Sequence, residues 1–148
     1  MTDFDMAKEL SELVELDIEA AHAYGQAITI VTEPGIRDRL ARFQKDHERH
    51  IEQLSAVIRA LDAEPPAYAW DLKSTQPEEV APIAGMMGTE GTISTMKTKE
   101  VFANKTYREA QHLSFTPNIG ELVRRNYQDE QVHLNYLEEV LAARSWER

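Results

Sequence analysis

Asp46-His47-Glu48-Arg49-His50 returns 83 residues later as Asp129-Glu130-Gln131-Val132-His133. In each stretch an aspartate precedes two metal-competent side chains spaced i, i+3, which a helix places on one face. The same offset of 83 joins Asp17 to Glu100, Ala20 to Ala103, Tyr24 to Tyr107, Ala27 to Ala110 and Pro34 to Pro117. It continues through Ile36 and Ile119, Leu54 and Leu137, and Val57 and Val140. Heptad periodicity alone would not align the prolines, the aspartates or His50 with His133. One unbroken offset across two helices and the turn between them therefore reads as a duplicated helical hairpin.

The prolines set the boundaries, because an interior proline costs a helix about 3 kcal/mol. They stand only at 34, 65, 66, 77, 82 and 117. The stretches between them, rich in Ala, Leu, Glu, Arg and Gln, predict helices over 4–31, 34–61, 84–113 and 117–144. Thr32-Glu33-Pro34 and Phe115-Thr116-Pro117 each place a polar or capping residue before a proline at the first helical position. The expected fold is all-α: a single domain over 1–148, built as hairpins 4–61 and 84–144 joined by a long crossover over 62–83.

Apolar stripes with a three-then-four repeat define the inward faces. They run Leu10, Leu13, Asp17, Ala20, Tyr24, Ala27, Val31 on the first helix and Ile36, Leu40, Phe43, His47, His50, Leu54, Val57, Leu61 on the second. The third gives Ile93, Met96, Glu100, Ala103, Tyr107, Ala110, Ser114; the fourth gives Ile119, Val123, Asn126, Glu130, His133, Leu137, Val140. Counting from each turn at about 1.5 Å per residue puts Asp17, His47, His50, Glu100, Glu130 and His133 at one level, about 23 Å from the turns. Buried carboxylates cost several kcal/mol each unless protonated, hydrogen-bonded or bound to metal. Three carboxylates with three imidazoles suffice for two divalent ions, and a mixed N/O set suits Fe, Mn or Zn better than Ca or Mg.

These six positions resemble those of the ferritin-like superfamily of di-iron carboxylate bundles, especially its rubrerythrin and bacterioferritin branches, which carry Glu on two helices and Glu-x-x-His on the other two. The resemblance covers all four helices. It implies terminal carboxylates at Asp17 and Glu100, a bridging carboxylate at Glu130, and imidazole ligands at His50 and His133. It further implies that Asp46 and Asp129 hold the second nitrogen of the imidazole on the opposite helix. Two positions depart from the family: Asp17 stands where Glu is usual, and His47 where a second bridging Glu is expected. The departures lead to the expectation that only Glu130 bridges, or that one ion binds tightly and the other weakly.

The resemblance implies iron oxidation, or reduction of dioxygen or peroxide. The chain has no cysteine, so an external electron-donor protein would be needed for repeated turnover, and thiol chemistry and iron–sulfur clusters are excluded. The competing reading is a non-redox bundle carrying zinc or manganese; a third leaves only a hydrogen-bond network. Tyr24 and Tyr107 read as packing residues, with hydrogen bonds to site carboxylates or electron supply as the alternative. Asp46 and Asp129 remain supporting residues, and no catalytic residue is expected beyond the metal site.

A net charge of −10 argues against nucleic-acid or anionic membrane partners, and no apolar run approaches the length of a membrane span. A cytoplasmic location is the default expectation. His22 and His112 fall on outward positions, and Met86 and Met96 on the core stripe. Gly85, Gly88 and Gly91 leave the start of the third helix either frayed or packed closely against a neighbouring chain. Tyr68, Trp70 and Trp146 are expected to seal the bundle or form a homodimer contact. No nucleophilic triad, phosphate loop or dinucleotide fingerprint is present.

Overall fold

Thr2 starts the first helix: its hydroxyl accepts from the Asp5 N–H while the Asp5 carboxylate accepts from the Thr2 N–H, a reciprocal cap. In the computed structural model, which describes residues 1–68 and 83–147, this helix is α1 (Asp3–Ile30). It is followed by α2 (Pro34–Ala60), α3 (Gly88–Ala110), α4 (Pro117–Ala143) and a short 3-10 turn (Ser145–Glu147), with no strand among the described residues. Pro34 and Pro117 occupy first-turn positions as expected. Glu33 caps α2 through the Gly35 and Ile36 N–H groups, whereas the Thr116 side chain makes no capping bond.

The third helix is shorter than its periodicity suggests, beginning at Gly88 rather than 84 and ending at Ala110 rather than 113. Gly85 and Gly88 adopt φ of 91° and 65°, which interrupts right-handed helix before residue 88. Gly91 is packed within its own chain: a Cβ there would lie 2.9 Å from the Gly85 carbonyl oxygen. Gly91→Ala should therefore lower stability by about 1–3 kcal/mol through overpacking against backbone, seen as a lower urea midpoint.

The inward stripes of α1 and α4 are buried throughout. On α2 the stripe drifts: Ile51 and Ile58 are buried, while Val57 and Leu61 are only partly so. The true helical repeat of about 3.6 residues outruns a strict heptad over this length. Ser114 is exposed because α3 has already ended.

The side-chain pairs fix the topology. Tyr24 meets Glu100 and Tyr107 meets Asp17, so α1 and α3 run antiparallel. His50 meets Asp129 and His133 meets Asp46, so α2 and α4 do too. The result is an all-α four-helix bundle of two antiparallel hairpins whose turns lie at opposite ends, the arrangement a long crossover requires. Its core forms two apolar clusters. One gathers Leu10, Val14, Leu54, Ile58 and Val123; the other gathers Val31, Ile36, Leu40, Ile93, Met96 and Leu137. The polar layer lies between them.

Tyr68 packs on the first cluster and Trp146 on the second, each closing part of the bundle. Trp70 lies outside the described residues. His22 is half-buried, not outward: its ring meets Tyr68 edge to face at 5.7 Å. His112 is exposed; Met86 and Met96 are buried in the second cluster. Among the described residues, no helix is long and apolar enough to cross a membrane.

Candidate metal centre

One inward residue or pair from each helix builds the polar layer, because the stripe positions of all four helices reach the same height. Asp17, His47, His50, Glu130 and His133 are completely buried, and Glu100 is 1% exposed. They form two clusters able to coordinate a dinuclear metal: Asp17, His47, His50 and Glu130 in one, and His47, Glu100, Glu130 and His133 in the other. His47 and Glu130 are common to both.

His47 spans the layer. Its Nδ1 lies 2.7 Å from Asp17 Oδ1 and 3.4 Å from Glu130 Oε1, while Nε2 lies 3.2 Å from Glu100 Oε1. His50 Nδ1 faces Asp17 Oδ1 at 3.1 Å. His133 Nδ1 is 3.4 Å from both Glu100 Oε1 and Glu130 Oε2. The outer nitrogens are held elsewhere: Nε2 of His50 donates to Asp129 Oδ2 and Nε2 of His133 to Asp46 Oδ2, both at 2.8 Å. The inward nitrogens thereby have a fixed orientation toward the layer.

Both tyrosines reach across the repeat. Tyr24 donates to Glu100 Oε1 and Tyr107 to Asp17 Oδ2, each at 2.5 Å. The hydrogen-bonding alternative is the observed one. Burial, reinforced by the adjacent carboxylate, raises both phenols well above their ordinary pKa, so the hydroxyls remain donors.

Charge in the layer is mutually compensating. Burial alone would lower His47 and His50, but Glu130, Asp17 and their neighbours raise each to about 10. His133 is raised well above its usual value: burial opposes this, and Asp46, Glu100 and Glu130 outweigh it. Burial pushes Asp17 and Glu100 up, yet the adjacent imidazoles hold both below the ordinary carboxylate range. Glu130 moves the other way, raised by burial and by the charge of Glu100.

Compensation is incomplete. Glu100 Oε2, both Glu130 carboxylate oxygens and His133 Nδ1 are buried with no hydrogen-bond partner among the described residues. An unsatisfied buried polar group costs about 1–3 kcal/mol. Acceptors and an imidazole nitrogen grouped in this way fit a divalent cation, so the donor set passes the chemical test for one.

Sequence reasoning missed Arg49. Its guanidinium lies 3.2 Å from Asp46 Oδ1 and also pairs with Asp129, so one cation ties together the carboxylates behind both imidazoles. Only its i, i+3 spacing from Asp46 hinted at this, since the matching position in the second repeat is Val132. Arg49 is 47% exposed, so Arg49→Ala should cost less than about 1 kcal/mol of stability. Metal affinity should nevertheless fall about ten-fold through looser imidazoles, a split resolved by measuring urea unfolding and metal titration on the same variant. Asn104 was also missed; its amide donates to the Glu100 and Glu130 carbonyl oxygens at 2.8 and 2.9 Å, fastening α3 to α4 beside the layer.

The two halves differ in their surroundings. Phe43 packs on the His133 ring with centroids 4.3 Å apart, whereas the position matching Phe43 in the second repeat is Asn126, whose amide lies 3.5 Å from the Tyr107 hydroxyl. The Glu100 half is thus the more apolar one.

The family described as "Domain of unknown function (DUF2383)" matches residues 5–113, well over half of the chain. The chain belongs to the DUF2383 family. No curated protein matches it. The DUF2383 match spans Asp17, His47, His50 and Glu100 and stops before α4, which carries Glu130 and His133.

Proposed function

We propose that this DUF2383 chain is a ferritin-like domain, single over residues 1–148, that holds two divalent metal ions, iron foremost. Its proposed activity is ferrous oxidation or reduction of dioxygen or peroxide. The observation that carries this reading is the pair of buried clusters sharing His47 and Glu130, with four polar atoms in the layer unpartnered among the described residues. The resemblance to rubrerythrin and bacterioferritin supports the choice of iron.

Asp17 and His50 would hold one ion, Glu100 and His133 the other, and Glu130 both. Bound iron would supply one-electron steps between the ferrous and ferric states. The chain's own residues prepare the site. Asp46 and Asp129 orient the imidazoles, Tyr24 and Tyr107 donate hydrogen bonds to the terminal carboxylates, and Phe43 excludes water from the His133 side. With no cysteine in the chain, electrons for repeated turnover would come from a separate donor protein.

One observation favours a second reading, non-redox binding of zinc or manganese. His47 contributes a third imidazole at a shared position, and imidazole suits zinc as well as iron. Metal content by mass spectrometry, after iron, manganese and zinc are offered together, tests metal binding; aerobic ferrous oxidation then separates the readings. One to two irons per chain with oxidation above buffer supports the first. Tight zinc without oxidation supports the second, and no metal overturns both.

A further inference from the structure

Arg42, Asp46, Arg49 and Gln53 on α2 follow a four-three-four spacing, as do Arg125, Asp129, Val132 and Tyr136 on α4, so each set shares one face of its helix. The two faces adjoin. Arg49 pairs with Asp129, and Arg39, one turn before Arg42, lies 4.4 Å over the Tyr136 ring.

Charge on this face runs against that of the chain. The whole carries −10, yet here Arg39, Arg42, Arg49 and Arg125 stand against two acidic residues, Asp46 and Asp129. Both aspartates are already held, by the His133 and His50 rings and by Arg49. Arg42 and Arg125 are exposed and form no ion pair with a described residue. Val132, 53% exposed, stands among the arginines, and an apolar centre with a charged rim is the make-up of a protein-docking surface. Tyr68 and Ile83, which flank the undescribed crossover, rest against α1 at His22 and Gln26 and leave this face uncovered.

The face is also joined to the polar layer. Tyr136 is half-buried, its ring meets Phe43 edge to face at 5.5 Å, and Phe43 meets the His133 ring at 4.3 Å. Two ring contacts thus link the surface to a residue of the candidate centre, a short path for an electron. We infer that the α2–α4 face docks an acidic one-electron donor protein on Arg42, Arg125 and Val132, with Tyr136 and Phe43 forming the path to His133. The inference rests on the redox reading of the centre and names the surface and charge of the donor it needs. Each transfer removes one electron from the donor and returns one ferric ion to ferrous, with no bond made or broken in either ring. Weak, charge-steered complexes of small area suit such an exchange.

The test is an amide NMR titration of the full chain loaded with zinc, which is redox-inert, using two acidic probes, a plant-type 2Fe–2S ferredoxin and a flavodoxin. Saturable binding of at least one is expected, with shifts centred on residues 39–53 and 125–136 and an affinity that falls as salt rises. Arg42→Glu combined with Arg125→Glu should weaken binding about ten-fold or more and leave metal uptake as in the parent. In the iron-loaded chain, Phe43→Leu should leave docking unchanged and slow reduction by the docked donor several-fold. Failure of both probes to bind, affinity unmoved by the double substitution, an unchanged reduction rate in Phe43→Leu, or capture of phosphatidylglycerol vesicles in place of the probes would overturn the inference. Metal uptake without docking removes the docking face and leaves the metal-centre reading; docking without metal uptake removes that reading and the electron path with it.

Discussion

Glu130→Ala is expected to abolish binding of both ions, whereas Asp17→Ala should leave the Glu100 and His133 side able to hold one. Glu130 belongs to both clusters and Asp17 to one. The larger loss follows from sharing, since no other carboxylate lies in both clusters. Neither Glu130 oxygen has a hydrogen-bond partner to lose among the described residues, so the substitution removes coordination while leaving the surrounding hydrogen bonds intact. The readout is thermal. A ligand present at 100 times its dissociation constant stabilises by about 2.7 kcal/mol, or roughly 5–10 °C in a chain of this size. Metal should raise the Tm of the parent by about that much or more, that of Asp17→Ala by less, and that of Glu130→Ala not at all. An undiminished metal-dependent shift in Glu130→Ala would refute the shared role.

A strong pH dependence of opposite sign should separate the metal-free and metal-loaded proteins. His47 and His50 titrate near 10 in the folded chain, against 6.5 for an unperturbed imidazole. A group whose pKa is raised on folding contributes its full stabilisation below the unfolded value and loses it as pH rises through the folded one. The metal-free protein should therefore lose several kcal/mol between about pH 6.5 and 10, as the imidazolium partners of Asp17, Glu100 and Glu130 discharge. Asp17 and Glu100 work at the acid end: their lowered pKa values give stability that is present above about pH 4.5 and lost below it. Maximum stability of the metal-free chain should fall near pH 5–6.5. Metal binding requires imidazoles without their extra protons, so apparent metal affinity should rise over the same interval in which the metal-free protein weakens. Urea unfolding and metal titration at pH 6, 8 and 9.5 measure both trends; parallel trends would contradict the charge assignment.

The fold was legible because its determinants are local. Proline at 34 and 117 and the stripes on each side fix helix positions with little help from tertiary contacts. The common height of Asp17, His47, His50, Glu100, Glu130 and His133 followed from counting residues from the turns, since helical rise is nearly constant. What depended on positive φ or on neighbours across the bundle was not legible. Gly85 and Gly88 delay α3, and composition alone did not distinguish a frayed start from close packing. The heptad count on α2 failed beyond Leu54, where accumulated drift exchanges Val57 for Ile58. Arg49 looked like one more surface cation until the fold brought Asp129 beside it.

Each cluster takes three of its residues from one hairpin and the fourth from the other: Glu130 joins Asp17, His47 and His50, and His47 joins Glu100, Glu130 and His133. In a pair of identical hairpins related by exact two-fold symmetry, both shared positions would carry the same residue, two histidines or two glutamates. Joining the hairpins in one chain lifts that restriction. A two-nitrogen imidazole and a carboxylate can then face each other across the centre, giving it a polarity that a symmetric assembly of identical hairpins is forbidden to have.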